Sequence, residues 1–223
     1  MIRLLSGRLR KLFCLLLFTG FSVAHAGSYD DFFRAIQQDD SEKIRHLLNR
    51  GFDASTVDAK GQYGLYIALS DGTLKAARTL IDWPKTDVNQ VNLKGESALM
   101  LAALKGHLAL ADLLIKKGAD VNKTGWTPLH YAASAGHLPV IRLLLDNSAY
   151  IDAESPNGST PLMMAAMYGT PDAVNLLLQQ GADPTLKNQQ GLTALQFAQR
   201  GNRSDSVEII AAFLRGKQPL GKW

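Results

Sequence analysis

One short word returns along this chain at near-constant spacing, and that recurrence limits the fold more than any single residue does. The Leu of a Thr-Pro-Leu-like turn stands at Leu65, Leu99, Leu129, Leu162 and Leu195, at intervals of 34, 30, 33 and 33 residues. Two other series keep step with it. The first is Arg78-Thr-Leu-Ile, Asp112-Leu-Leu-Ile, Arg142-Leu-Leu-Leu and Asn175-Leu-Leu-Leu. The second is Thr86-Asp-Val-Asn, Ala119-Asp-Val-Asn, Ala149-Tyr-Ile-Asp and Ala182-Asp-Pro-Thr. A unit of this length cannot bury its apolar face alone and must stack on its neighbours. The pattern predicts an all-α repeat solenoid of about six stacked helix-turn-helix units, four well formed and two capping, with β-hairpin or turn tips.

The copy from Gly125 to Asp146 explains the words best. Thr127 is placed to cap a first helix, and Pro128 takes the first helical position, where a missing N–H costs nothing. Leu129 begins the buried stripe. The pairs Ala102-Ala103, Ala132-Ala133 and Ala165-Ala166 let first helices approach closely, and the Leu-Leu pairs fill the space between units. Gly72, Gly106, Gly136, Gly169 and Gly201 are expected to end the first helices in left-handed geometry. The unit from Tyr29 to Phe52 lacks the Thr-Pro-Leu word and reads as an amino-terminal cap. Gly191 to Arg215 reads as the carboxy-terminal cap. The turn Asn122-Lys-Thr-Gly125 is three residues shorter than its equivalents, which predicts a notch in the row of tips just before Trp126.

The first 26 residues read as an address. Arg3, Arg8, Arg10 and Lys11 precede an apolar run from Leu12 to Ala24, and Ala24-His-Ala26 offers small residues for cleavage before Gly27. The run is shorter than the roughly 20 residues that span a bilayer. The expected organisation is a signal peptide over 1–26, a repeat domain over 27–216 and a flexible tail over 217–223. Removing those four basic residues from the 24 Lys and Arg leaves 20, equal to the 20 Asp and Glu. A neutral chain offers no basic field for nucleic acid. The single cysteine, Cys14, lies in the address, so the rest of the chain can form neither a disulfide nor a cysteine-ligated metal site.

With these words in register, the chain resembles the ankyrin repeat family over about residues 30–215. The resemblance implies a concave docking face built from hairpin tips and first helices. By register its variable surface positions are Lys60, Gln62, Ser70 and Asp71 in the second unit, and Lys94, Glu96, Leu104 and Lys105 in the third. They continue as Trp126, Ser134 and Ala135, then Asn157, Ser159, Met167 and Tyr168, then Gln190, Leu192, Gln199 and Arg200. Trp126 with Met167-Tyr168 is the expected focus, because Trp and Tyr are enriched at interface hot spots. The alternative for Trp126 is packing over its shortened turn, and Tyr131 is expected to pack rather than bind. The resemblance also makes His130 structural, bonded to the backbone and the capping Thr127. Gly136 and His137 become repeat-motif positions, as does the matching His107.

No catalytic constellation emerges. A zinc site needs three or four converging ligands, whereas His107 and His137 stand a full repeat apart. Neither a nucleophile elbow nor a phosphate-binding glycine loop is present. The expectation is a non-enzymatic protein-binding module without metal or cofactor, monomeric, and free of the membrane once the signal is cleaved. It is expected in the bacterial periplasm, or secreted, and its partner is another protein. Proteins of this appearance imply a role in stress defence or as partners of exported proteins. The alternatives are an immunity protein that caps an exported toxic enzyme and a host-directed effector.

Overall fold

The computed structural model describes residues 27–217. The expected signal segment with its Ala26 end, and the tail beyond Lys217, lie outside the described residues. Helices come in pairs: α1 (27–37) with α2 (Ser41–Asn49), α3 (Gly64–Asp71) with α4 (Leu74–Asp82), and α5 (Ala98–Lys105) with α6 (Leu108–Lys116). They continue as α7 (Pro128–Ala135) with α8 (Leu138–Asp146), α9 (Pro161–Tyr168) with α10 (Pro171–Gln179), and α11 (Ala194–Arg200) with α12 (Ser204–Lys217). The chain is thus an all-helical repeat solenoid. Its last helix extends one residue into the stretch expected as a tail.

Helices of eight or nine residues are too short to persist alone, so stacking holds them. The first helices α3, α5, α7, α9 and α11 lie side by side, and α2, α4, α6, α8, α10 and α12 form a second layer against them. The alanine pairs of α5, α7 and α9 are completely buried between neighbours. At the amino-terminal end Phe32 and Ile36 of α1 close over Gly64, where an added Cβ would come within 2.8 Å of Ile36 and 2.9 Å of Phe32.

The starts of α5, α7, α9 and α11 are fixed by reciprocal caps. Ser97, Thr127 and Thr160 accept the backbone N–H of Met100, His130 and Met163. In return the cap residue's own N–H is accepted by Met100 Sδ at 3.4 Å, His130 Nδ1 at 3.2 Å and Met163 Sδ at 3.4 Å. Gln196 Oε1 does the same for Thr193 at 2.8 Å. Four side chains of three chemistries, thioether, imidazole and amide, thus fill one acceptor role. In α3 the column holds Tyr66, which turns outward, and Tyr63 makes no side-chain cap bond.

The tips are closed by short polar side chains. Asp58 accepts the N–H groups of Lys60 and Gln62, Asn92 those of Lys94 and Glu96, and Asn188 those of Gln190 and Leu192. Isolated antiparallel bridges, Val57 to Tyr63 and Val91 to Ser97, mark two of these tips. Neighbouring tips are tied by asparagines: Asn89 reaches Gly118 O and Asp120 N, and Asn122 reaches Ser148 O and Tyr150 N. Asn122 therefore occupies the register of Asn89, and the three residues missing before Gly125 remove the closed turn that the other tips carry.

One expectation about the helix ends is corrected. Gly72, Gly106 and Gly136 are left-handed, with φ of 74°, 71° and 73°. Gly169 instead has φ −81° and ψ −153°, and Gly201 has φ −79°. At Gly106 and Gly136 the carbonyl accepts the N–H of Leu108 and Leu138. The matching position after Gly169 is Pro171, which has no N–H and disfavours helical backbone at Thr170. The Gly169 carbonyl turns away and is taken by the Arg203 guanidinium. What demands glycine there is close approach, since a Cβ would stand 2.3 Å from Ala133 O.

Candidate protein-docking face

The register positions named above spread along the tips and the first-helix ends. Asp71, Leu104, Lys105, Asn157, Tyr168 and Arg200 are exposed, while Gln62, Glu96, Trp126, Ser134, Met167 and Leu192 are half-buried. Ser159 departs from the expectation: it is 1% exposed, and its carbonyl is held by His130. Asn157 is exposed yet structural, because its Oδ1 accepts from Ser155 Oγ at 2.6 Å and from Ser159 N at 3.2 Å.

His130 anchors the centre. Its Nδ1 accepts the Thr127 N–H at 3.2 Å and lies 2.9 Å from Thr127 Oγ1. The ring proton therefore sits on Nε2 and is donated to Ser159 O at 2.9 Å, which joins the fourth unit to the tip of the fifth. Burial in this shell pushes the His130 pKa down to about 4, against the opposing effect of the Ser159 and Ala153 carbonyls. The ring is neutral and fully committed. His137 caps α8, lies over Gly106 and bonds Leu104 O at 3.0 Å. Among the described residues no group of three or more His, Cys, Asp and Glu could hold a metal ion, and no helix is long and apolar enough to cross a membrane.

Trp126 stands edge-on to His130, with ring centroids 5.3 Å apart and planes at 79°. Together with His130, Tyr131, Ser134 and Met164 it lines a cavity of about 210 Å³. The indole thus packs on the scaffold with one part and lines an opening with another. Met167 and Tyr168 do not line this cavity. They stand one turn further along α9 than Met164, which faces Tyr131 across the stack of α7 and α9.

Tyr131 packs against the core as expected, and its half-buried side chain also lines the cavity. It occupies the same register as Met164, and as Leu101 and Ile67, which are only 6% and 9% exposed. The column is half-buried at Tyr131, Met164 and Phe197.

Beyond Tyr131 lies a fixed carboxylate. Glu96 Oε2 accepts from Asn92 Nδ2 at 2.8 Å and from the Tyr66 hydroxyl at 2.9 Å, and Oε1 accepts from the Tyr131 hydroxyl at 3.3 Å. Burial by itself raises the Glu96 pKa, but the three donors and the field of Lys94 outweigh it and hold the carboxyl below its ordinary value. The phenols move the other way. Burial first, then the Glu96 charge, pushes Tyr66 and Tyr131 up to about 12, so both remain donors. Sequence reasoning placed Glu96 on this face but missed the two tyrosines that hold it. The available signal was Tyr66 in a column otherwise filled by side-chain acceptors.

A family model for ankyrin repeats in three copies matches residues 32–124, 77–155, 121–188 and 148–219. The chain belongs to the ankyrin repeat family. Ankyrin repeats are protein-interaction scaffolds. The mouse ankyrin repeat and SAM domain-containing protein 6 is 32% identical over 107 residues, 46% of this chain and 12% of that protein. The human photoreceptor ankyrin repeat protein is 36% identical over 84 residues, 36% of this chain and 19% of that one. These ankyrin relatives are thus matched over less than a fifth of their length. A chain in the complex of the Bd0816 predatory endopeptidase from Bdellovibrio bacteriovorus with the immunity protein Bd3460 aligns with a TM-score of 0.70 and 28% identity, covering 82% of this chain and 97% of that one.

Proposed function

We propose that this chain is a non-enzymatic ankyrin solenoid, exported to the bacterial periplasm, that holds another protein against its tips and first helices. The observation that carries the reading is the Trp126 cavity, an indole and two flexible apolar or aromatic side chains open on the face that the family uses for docking. Buried aromatic anchors of this kind dominate interface energetics. The basic start, short apolar run and small-residue end of segment 1–26 support export. A supporting role in stress defence is compatible with this reading.

A second, narrower reading is an antagonist that caps an exported enzyme. Its support is the likeness, over nearly the whole of both chains, to a component of the endopeptidase–immunity protein complex. Affinity capture from periplasmic extract tests both. The wild type should retain a partner that Trp126→Ala, still folded by circular dichroism, binds more weakly by more than about 1 kcal/mol. Unchanged affinity together with a lowered melting temperature would reduce Trp126 to packing. One-to-one inhibition of a captured hydrolase would single out the antagonist, and a partner without enzymatic activity would remove it.

A further inference from the structure

The cavity and the carboxylate are neighbours that share one residue, Tyr131. Tyr131 lines the cavity with its ring and gives its hydroxyl to Glu96 Oε1. The cavity, at about 210 Å³, is smaller than the roughly 300–1,000 Å³ of small-molecule sites, so it suits one protein side chain.

Glu96 has the character of a receptor group. An ionised carboxylate has about four acceptor positions, and the bonds from Asn92, Tyr66 and Tyr131 fill three, two on Oε2 and one on Oε1. The fourth, on Oε1, is unfilled on the oxygen that Tyr131, a cavity-lining residue, also contacts. None of the six ion pairs among the described residues includes Glu96, and Lys94 of the same tip acts on it through its field alone. The carboxylate is held in place by donors that carry no positive charge. Its charge is therefore not neutralised by a direct partner, and its geometry is set in advance, which lowers the ordering cost of binding.

We propose that Glu96 receives a lysine or arginine side chain of the partner protein, while the neighbouring cavity takes an aliphatic or aromatic side chain beside it in the partner's sequence. The inference rests on the docking reading above and adds the chemistry of the occupant: a loop pairing one basic with one apolar residue. Complementary charge fixes register, and the apolar anchor supplies burial.

A blocked dipeptide, N-acetyl-Leu-Arg-amide, tests this without any knowledge of the partner. Its neutral isostere, N-acetyl-Leu-citrulline-amide, is the control, and NMR of the Trp126 indole and Tyr131 ring is the readout. The arginine probe should shift both signals saturably. The citrulline probe, or the arginine probe on a folded Glu96→Gln protein, should bind about tenfold more weakly or worse, the loss expected for a charged hydrogen bond. Equal binding of the two probes, equal binding to E96Q, or no saturable shift would overturn the proposal. Failure of the docking reading is seen separately, as an extract that yields no Trp126-dependent partner. A partner retained equally by wild type and E96Q would remove the basic anchor and leave the docking reading standing.

Discussion

Lowering the pH should weaken this fold through one residue, His130. Its ring is 1% exposed, accepts the Thr127 N–H and donates to Ser159 O, an arrangement that only the neutral form can make. The folded pKa is about 4, against an ordinary value of 6.5. Above pH 6.5 both folded and unfolded states are neutral there, and the full stabilisation is present. As pH falls, the unfolded chain takes up the proton first, so stability is lost between about 6.5 and 4. Linkage gives a loss on the order of 2–3 kcal/mol on going from pH 7.5 to 4.5, with a limiting slope near 1.4 kcal/mol per pH unit. The control is His130→Met. Met100 and Met163 show that a thioether can accept the cap N–H, but it has no proton to give Ser159 O. The variant should lose about 1–3 kcal/mol at pH 7.5, from the unpaired Ser159 carbonyl. Urea unfolding followed by circular dichroism at pH 7.5, 6.5, 5.5 and 4.5 measures both quantities. The Met variant should lose most of the wild-type pH dependence across that window. Identical pH dependence in the two proteins would refute the assignment of the depressed titration to His130.

Gly169→Ala should destabilise by about 1–3 kcal/mol, because the new methyl meets the Ala133 carbonyl at 2.3 Å and that backbone cannot yield. Gly216→Ala, which meets nothing within 4 Å, should be neutral or stabilising by up to about 1 kcal/mol in the same thermal melts. Mass spectrometry of the exported protein should find Gly27 as the first residue, and recovery of an intact Met1 would refute cleavage of segment 1–26.

Much of the architecture was legible because each repeated word has a local mechanical cause. Thr127-Pro128 starts a helix and Ala132-Ala133 lets helices touch. Gly169 was misread because its neighbour, not its own type, sets the geometry: Pro171 withholds an N–H that the equivalent leucines supply. The docking face was harder to read. Tyr131 follows His130 directly, in a column whose members Ile67 and Leu101 are buried, so its letter reads as core. What the register does not report is that Tyr131 and Met164 are half-buried and line one cavity across the stack of α7 and α9. The carboxylate was named as a surface position, but its fixing needs Tyr66 and Tyr131, which lie 30 and 35 residues from it. No local pattern reports contacts of that range.

The candidate face is divided among the units in a way that bears on how it would respond to stress. Glu96 belongs to the third unit, most of the cavity wall (Trp126, His130, Tyr131 and Ser134) to the fourth and Met164 to the fifth, so no single unit carries the whole of it. In a stacked array, units can open one at a time from the ends. Fraying of either cap would leave this face intact, whereas opening of any of the three central units would erase it entirely. A partner gripping all three would act as a clamp across their interfaces, and its occupancy would raise the melting temperature of the middle of the array more than that of its ends.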